Sequence, residues 1–369
     1  MTTPSITALR ANKQSLWVDN INRSMLDSGT LAHYIQEFGV TGLTSNPTIF
    51  DHALHTGDAY DAILQETVHQ SLSNEELFFI LALHDLSRAS RLFQPIHVGT
   101  HGRDGWVSLE VSPLLANDTV VTVEQALKLH AQAGLSNLLI KIPGTPAGVS
   151  AIAQTIASGV PVNVTLLFSP DHYRLAASAY MTGLESRLER GMDLRVGSVA
   201  SIFISRWDQA IQSRVPPHLH NRVGIAIARS CYTAYQEVLH SDRWLRLAHA
   251  GAQPQKLLWA STGTKDPQAS DVLYVESLIA PDTINTAPEK TLIAFSEHGR
   301  GEPAMSADGG DSGAVLHALA ELGIDVPSLG DQLQRDGANA FVDSWNDLMQ
   351  TIADKRSTAG RPIASLFKE

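Results

Sequence analysis

The stretch that says most about the fold is LLIKIPGTPAG, residues Leu138–Gly148. Its first five residues are apolar except for Lys141, a pattern typical of a buried strand, and Pro143 and Gly144 then end that strand. Small residues after Pro146 indicate a helix. The stretch therefore predicts a strand–loop–helix unit with Lys141 near the carboxyl end of the strand.

Lys141 is an ionisable side chain in a place where charge is unfavourable. Removal of water disfavours the ammonium form, and a neutral amine is a nucleophile toward a carbonyl carbon. The side chain can therefore form a Schiff base. The alternative is a structural lysine that reaches solvent or pairs with a carboxylate. This stretch alone leaves both interpretations open and favours the structural one.

Composition indicates an ordinary globular protein. Charged residues make up 18% and apolar residues 43% of the 369 residues. With 27 Lys plus Arg against 38 Asp plus Glu, the net charge of −11 argues against nucleic acid or an anionic membrane as a partner. No stretch has the length of a membrane span, and the first residues lack the apolar core of a signal peptide. The single cysteine, Cys231, fits a reducing cytoplasm.

Short apolar strands alternate with longer helical segments along the whole chain. The eight predicted strands are Ser15–Asn20, Val40–Pro47, Trp106–Pro113, one through Lys141, Val162–Ser169, Val196–Ser205, Lys256–Thr262 and Asp282–Pro288. Strict alternation favours a closed (β/α)8 TIM barrel over an open doubly wound sheet. We expect one domain over residues 1–369. It has additional helices in an insertion after strand two (about 55–95, with the helical run from Tyr60 to Phe93) and in a C-terminal extension (about 290–369). For that extension, covering the barrel mouth is a hypothesis.

Polar side chains recur at or past the middle of six predicted strands. Barrel active sites lie at the carboxyl ends of strands. Each of these residues alone is more often a hydrogen-bonded structural residue, and Asn46 and Thr165 in particular can cap turns or helices. Together they indicate an acid–base site: Asp19, Asn46, Glu110, Lys141, Asn163, Thr165 and Ser201.

Four motifs in this order resemble transaldolases. They are VTGLTSNPTIF (Val40–Phe50), LLIKIPGTPAG, NVTLLFS (Asn163–Ser169) and the spacing Ser201-x-Phe203-x-x-Arg206. The resemblance runs from the first strand through at least Lys265. It implies the transfer of a dihydroxyacetone unit from sedoheptulose 7-phosphate or fructose 6-phosphate to an aldose phosphate, in the pentose phosphate pathway.

The resemblance also implies roles for the polar residues. Lys141 forms an imine with the ketose phosphate, and Asp19 takes the proton of the C4 hydroxyl. Glu110 moves protons during imine exchange with a water held by Thr165. The remaining residues bind substrate: Asn46, Asn163 and Ser201 hydrogen-bond the dihydroxyacetone unit, and Phe203 belongs to the same set.

The candidate residues for binding the substrate phosphate differ from those of many transaldolases. Arg206 matches a phosphate-binding arginine, although a salt bridge at the start of a helix is an open alternative. Many transaldolases have a second arginine after strand seven. Here the run Ala260–Lys265 looks like a longer subgroup, in which Ser261 and Lys265 are the candidates for a hydroxyl and a point charge.

Two other functions compete with transfer. A class I lyase resembling fructose-6-phosphate aldolase would release free dihydroxyacetone, but those relatives are shorter and carry a glutamine at the position of Glu110. A silent sugar-phosphate-binding barrel would be expected to lack Lys141 or Asp19. No metal or other cofactor is expected, because the imine polarises the carbonyl and the His218-Leu219-His220 run reads as a loop. We expect sugar phosphates as the only partners, and a monomer or homodimer.

Overall fold

The computed structural model describes residues 3–67, 70–301, 305–306 and 308–359. Small parts of the predicted insertion and extension, namely residues 68–69, 302–304, 307 and 360–369, lie outside the described residues. The division into one domain with these two additions stays a prediction.

Eight parallel strands form the centre of the protein. They run in the order β2-β1-β8-β7-β6-β5-β4-β3, and the backbone amide of Leu43 in the second strand donates to the carbonyl of Trp106, just before the third, at 3.0 Å. The ring of strands is thereby nearly closed, which confirms the predicted (β/α)8 barrel. The strands are β1 Ser15–Asp19, β2 Gly42–Thr44, β3 Val107–Glu110, β4 Leu138–Pro143, β5 Val162–Leu167, β6 Ser198–Phe203, β7 Lys256–Ala260 and β8 Ile284–Ala287.

Helices surround the strands, with additional ones after β2 and at the C-terminus. Those in the described part of the chain are α1 Pro4–Ala11, α2 Arg23–Asp27, α3 Thr30–Glu37, α4 Pro47–Thr56, α5 Asp61–Thr67, α6 Asn74–Gly99, α7 Thr119–Ala133, α8 Pro146–Ala157, α9 Pro170–Glu189, α10 Ser205–Ile211, α11 Val223–Leu239, α12 Asp242–His249, α13 Leu273–Ser277, α14 Glu289–His298, α15 Ser312–Glu321 and α16 Val326–Ala359.

The insertion after β2 differs from its prediction. We expected one helical run from Tyr60 to Phe93, but α5 and α6 are separate helices. The break is fixed by a capping box, in which the Ser73 hydroxyl accepts from the amide of Glu76 at 3.1 Å and the Glu76 carboxylate accepts from the amide of Ser73 at 2.9 Å. A helix that begins at such a cap cannot continue the one before it.

The register of the strands brings the polar residues to one level of the barrel. Glu110 pairs with Lys141, Lys141 with Asn163, and Asp19 with Thr44. Because successive side chains of a strand point to opposite faces, residues paired in register share a face. The inner face near the carboxyl ends of the strands is therefore lined with acidic, basic and hydroxyl groups.

The long helix α16 lies across this end of the barrel, as hypothesised. The side-chain amide of Gln334 donates to two backbone carbonyls at the rim, that of Gly144 at 3.0 Å and that of Leu166 at 2.9 Å. Asp331, one turn earlier, lies 3.0 Å from Nε2 of His172 at the start of α9. Helix α16 of the C-terminal extension thus covers the mouth of the barrel.

Candidate active site

The amine of Lys141 is buried beside a carboxylate. Its Nζ lies 3.0 Å from Oε2 of Glu110 and donates to the carbonyl of Ser45 at 3.2 Å. The side chains of Lys141 and Glu110 are only 7% and 6% exposed. Burial raises the pKa of Glu110, the charge of Lys141 opposes this rise, and the charge of Asp19 adds to it.

This contact bears on the two interpretations of Lys141. A pairing with a carboxylate is present, as the structural interpretation expects. The partner, however, is Glu110, the residue to which the resemblance assigns proton transfer at the imine. A carboxylate 3.0 Å from the amine can accept its proton and leave the nucleophilic form. The geometry is therefore compatible with Schiff-base chemistry.

Asp19 sits on the neighbouring side of the same interior. Its carboxylate accepts a hydrogen bond of 2.7 Å from the hydroxyl of Thr44, which itself lies 2.7 Å from the hydroxyl of Thr286. Enclosure by the barrel raises the pKa of Asp19, while the charge of Lys141 and the Thr44 hydrogen bond lower it by smaller amounts. A carboxylate with a raised pKa is suited to accept a proton and return it.

A cavity of about 120 Å³ opens over these groups at the mouth of the barrel. Eight of the predicted site residues line it: Asp19, Asn46, Lys141, Thr165, Ser201, Phe203, Arg206 and Ser261. Three others do not line it, namely Glu110, Asn163 and Lys265. Together with Thr286 of β8, the eight predicted residues that line it bring seven different strands or the segments after them to one small space.

Two of the predicted substrate ligands also have structural bonds. Asn163 lies below the cavity, fully buried, where its Oδ1 accepts from the Ser201 hydroxyl at 2.7 Å and its Nδ2 donates to the Ser108 hydroxyl at 3.3 Å. It therefore orients Ser201. Asn46 caps α4 by accepting from the amide of Ile49 at 3.1 Å, and it lines the cavity as well.

Thr165 differs from Asn46, because it caps nothing. Its hydroxyl is buried and has no hydrogen-bond partner among the residues that the structure describes. A buried hydroxyl without a partner is unfavourable unless a water or ligand satisfies it. Since Thr165 lines the cavity, such a molecule would lie within the cavity itself.

Arg206 is the second basic residue, besides Lys141, that lines the cavity. Its guanidinium carbon lies 5.3 Å from the ring centroid of Phe203, and it forms no ion pair within the described ranges. The alternative of a salt bridge at the helix start is thus not found there. Burial lowers the pKa of Arg206, and no acidic side chain in the described ranges offsets the cost of burying its charge. An anionic ligand would offset that cost.

The run after β7 provides a hydroxyl rather than a second cation at the cavity. Ser261 lines it with φ of +56°, a region that non-glycine residues seldom adopt. Its Oγ lies 2.9 Å from Oγ of Ser205. Lys265 is exposed and outside the cavity lining, although its charge lowers the pKa of Asp19 slightly.

Three hydroxyl-bearing residues and one aromatic residue at the site were not predicted from the sequence. Thr44 and Ser45 belong to the TGLTSNP motif that drew attention to Asn46, so their positions could have been found there. Thr286 lies on the weakly patterned strand β8. Phe341 comes from α16 and lines the cavity, but in the sequence it reads only as an apolar residue of an amphipathic helix.

Within the described ranges, no group of three or more His, Cys, Asp or Glu side chains is arranged to hold a metal ion. Over the same ranges, no helix combines the length and the apolar character that a membrane crossing requires.

Comparison with known proteins agrees with the arrangement of these groups. A family model described as "Transaldolase/Fructose-6-phosphate aldolase" matches residues 16–352, from β1 nearly to the end of α16. The chain belongs to this family. The matched range contains every predicted site residue and extends from the barrel strands into the helix over the barrel mouth.

Curated relatives within the family extend over nearly the whole chain. A transaldolase of Saccharopolyspora erythraea is 42% identical over 368 residues, which cover 97% of this chain and 100% of the relative. "Transaldolase 2" of Streptomyces coelicolor is 40% identical and covers 95% of this chain and 96% of its own length. A transaldolase of Thermobifida fusca is 41% identical, covering 92% and 95%.

Proposed function

We propose that the protein is a transaldolase that moves a dihydroxyacetone unit from a ketose phosphate to an aldose phosphate through an imine on Lys141. The observation that carries the proposal is the 3.0 Å contact between Nζ of Lys141 and Glu110, next to a cavity that Asp19 also lines. Family membership and the transaldolase relatives support the same activity.

Glu110 and Asp19 divide the proton transfers between them. Glu110 takes a proton from the Lys141 ammonium, the amine adds to the C2 carbonyl, and water leaves as the imine forms. Asp19 then takes the proton of the C4 hydroxyl while the C3–C4 bond breaks and its electrons move into the protonated imine. The first aldose leaves, and the enamine on Lys141 adds to the carbonyl carbon of the second, with Asp19 returning the proton.

The remaining groups of the cavity hold substrate and water. Thr165 holds the water that enters and leaves during imine exchange, because its buried hydroxyl needs a partner. Ser201 and Asn46 hydrogen-bond the three-carbon unit, with Asn163 orienting Ser201. Arg206 binds the phosphate group, with Ser261 lining the same cavity and the ring of Phe203 5.3 Å from the guanidinium carbon.

The competing activity is the release of free dihydroxyacetone, as in a fructose-6-phosphate aldolase. Glu110 favours transfer, because the aldolases have a glutamine at its position. A glutamine could neither take the ammonium proton nor form the ion pair that Lys141 makes here.

The decisive assay mixes the protein with fructose 6-phosphate and erythrose 4-phosphate. A transaldolase forms glyceraldehyde 3-phosphate and sedoheptulose 7-phosphate, an aldolase forms free dihydroxyacetone, and a binding protein forms neither. Borohydride reduction with fructose 6-phosphate should trap a covalent adduct on Lys141. The adduct should be lost in Lys141→Ala and kept in Lys256→Ala, a lysine at the opposite end of a barrel strand. An adduct of equal yield in Lys141→Ala would exclude the mechanism.

We place the protein in the pentose phosphate pathway of the cytoplasm, which metabolite profiles of a deletion strain and cell fractionation would test. Its assembly as a monomer or homodimer can be measured by sedimentation.

A further inference from the structure

Phe341 brings an aromatic ring from the C-terminal helix to the reacting amine. The ring centroid lies 5.4 Å from Nζ of Lys141 and 6.4 Å from the ring of Phe203. The side chain is 8% exposed and lines the cavity. A cation within about 6 Å of a ring is attracted by its electrons, so the ring interacts with the ammonium of Lys141 and would do so with a protonated imine.

The position of this ring is fixed by contacts on both sides of it along α16. Towards the N-terminus, Gln334 is bonded to two rim carbonyls. Gly337 lets the helix approach closely, because a Cβ there would come within 2.9 Å of Leu166 Cδ2 and 3.4 Å of Arg206 Nη1. Towards the C-terminus, Trp345 packs edge-on against Phe78 at 5.1 Å. The ring therefore belongs to a docked helix rather than to a loose tail.

We propose that Phe341 determines the fate of the bound three-carbon unit by keeping water away from it. The inference rests on the proposed function, and it assigns to α16 a direct part in the choice between transfer and release. Phe341 belongs to none of the motifs from which the site was predicted. The ring offers water no hydrogen-bonding atom, so the space it fills next to Lys141 stays dry.

Two reactions compete for the enamine on Lys141. In transfer, its carbon attacks the carbonyl of an incoming aldose phosphate. In release, the same carbon takes a proton, and water then adds to the imine carbon, which expels dihydroxyacetone and returns the free amine. Release requires protonation of the enamine carbon, with water as the proton source, and transfer has no such step. Both routes end with the hydrolysis of an imine by one water molecule. A group that keeps water away from the enamine carbon therefore favours transfer.

The test is the ratio of free dihydroxyacetone to transferred product, measured with fructose 6-phosphate and a fixed concentration of erythrose 4-phosphate. In Phe341→Leu the shorter side chain opens space beside the amine and removes the ring, and the ratio should rise roughly fivefold. Phe341→Tyr keeps the ring but adds a hydroxyl that can hold a water molecule. Its ratio should rise as well, which provides a second variant if the first folds poorly.

Phe79→Leu is the matched control. Phe79 is 7% exposed, nearly the same as Phe341, and its ring lies 5.9 Å from that of Trp345 on α16, outside the cavity lining. This variant tests loosened packing of α16 without a change beside Lys141, and its ratio should stay at the parent value.

The outcomes separate this inference from the proposed function. If both Phe341 variants lose transfer and release in equal proportion, the ring is only structural and the inference is overturned. A rise of the same size in Phe79→Leu would overturn it too, because packing of the helix would then be the cause. A parent protein that forms no borohydride adduct on Lys141 would instead refute the imine mechanism itself.

Discussion

The hydroxyl of Thr44 donates a hydrogen bond of 2.7 Å to the carboxylate of Asp19. Because an ionised carboxylate only accepts hydrogen bonds, Thr44 must use its proton there, and Thr286 must then donate to Thr44 across their 2.7 Å contact. The direction of these two hydrogen bonds is reversible. A proton that reaches Asp19 from the substrate allows Thr44 to turn towards Thr286, so the two threonines support both protonation states.

The first prediction concerns the charge of Asp19. Its pKa is raised, chiefly by burial, so the folded state favours the neutral carboxyl more than the unfolded chain does. The contribution of Asp19 to the free energy of unfolding is therefore most favourable below its ordinary pKa of 3.8. It becomes less favourable as pH rises through the folded-state pKa. Asp19→Asn has no charge to bury. It should unfold at higher urea concentration than the parent at pH 7.5, and the difference should shrink as pH is lowered.

Activity should move in the opposite direction in the same variant. Without a base for the C4 hydroxyl proton, transfer should fall by about 10²–10⁴-fold. Imine formation does not need that base, so the borohydride adduct on Lys141 should persist. A variant that is less stable than the parent at pH 7.5 would show that Asp19 contributes favourable interactions that exceed the penalty of its burial.

The second prediction compares two buried threonines. The hydroxyls of Thr165 and Thr155 both lack a hydrogen-bond partner in the described part of the protein, and both residues are fully buried. Thr165 lines the cavity, whereas Thr155 lies on α8. Replacement by valine removes an unsatisfied hydroxyl at nearly constant volume, so neither change should lower the urea midpoint by more than the equivalent of about 1 kcal/mol.

Only Thr165→Val should lower the rate, by roughly tenfold or more, because it removes a ligand of the water used in imine exchange. The rate of adduct trapping by borohydride provides the measurement. Equal rates in Thr165→Val and Thr155→Val would remove Thr165 from the catalytic set.

The third prediction concerns the phosphate end. Arg206→Gln should raise KM for fructose 6-phosphate by about ten- to a hundredfold, since it removes a charged ligand of the phosphate. Dihydroxyacetone transfer from unphosphorylated fructose should change little. Lys265→Gln tests the other candidate: because Lys265 lies outside the cavity lining, its effect on KM should be several times smaller. A larger effect at Lys265 would reassign the phosphate ligand.

The fourth prediction concerns the attachment of α16. Gln334→Leu leaves the carbonyls of Gly144 and Leu166 without their side-chain donor, which should lower the unfolding free energy by about 1–3 kcal/mol. It should also raise amide hydrogen exchange in α16. Gln332→Leu, an exposed position on the same helix, is the control and should change neither. Identical exchange in both variants would show that the Gln334 bonds do not hold the helix.

The sequence predicted the regular parts of the barrel well and its transitions less well. The apolar run around Lys141 became β4, and its Pro143 ends the strand as expected. The second strand was predicted over Val40–Pro47 but spans only Gly42–Thr44. The reason lies at its end, where Asn46 leaves the ladder to cap α4 and Pro47 becomes the first helical residue. The spacing of apolar residues does not show where a residue such as Asn46 leaves a strand to cap a helix.

Helix α16 shows a second limit of prediction. Within the predicted C-terminal extension, the spacing of apolar residues predicts this helix only over Ala338–Ile352, yet it extends from Val326 to Ala359. Its first half faces backbone carbonyls at the barrel rim and meets them with the polar side chain of Gln334. The buried face of this half combines Leu329 and Leu333 with Gln334 and two glycines, so its apolar residues are too few to mark a helix by their spacing. The contact of Phe341 with Lys141 could not be foreseen either, because it depends on where the helix docks.

Helix α16 follows all eight strands in the chain, and yet it supplies a wall of the cavity whose first residue, Asp19, ends the first of them. During synthesis, every strand therefore leaves the ribosome before α16, the helix that closes the cavity. The growing polypeptide passes through a stage in which Lys141, Asp19 and Glu110 have been synthesised but α16 has not. Under the proposed role of Phe341, an enamine formed without α16 would be open to water, so selective transfer would require that helix.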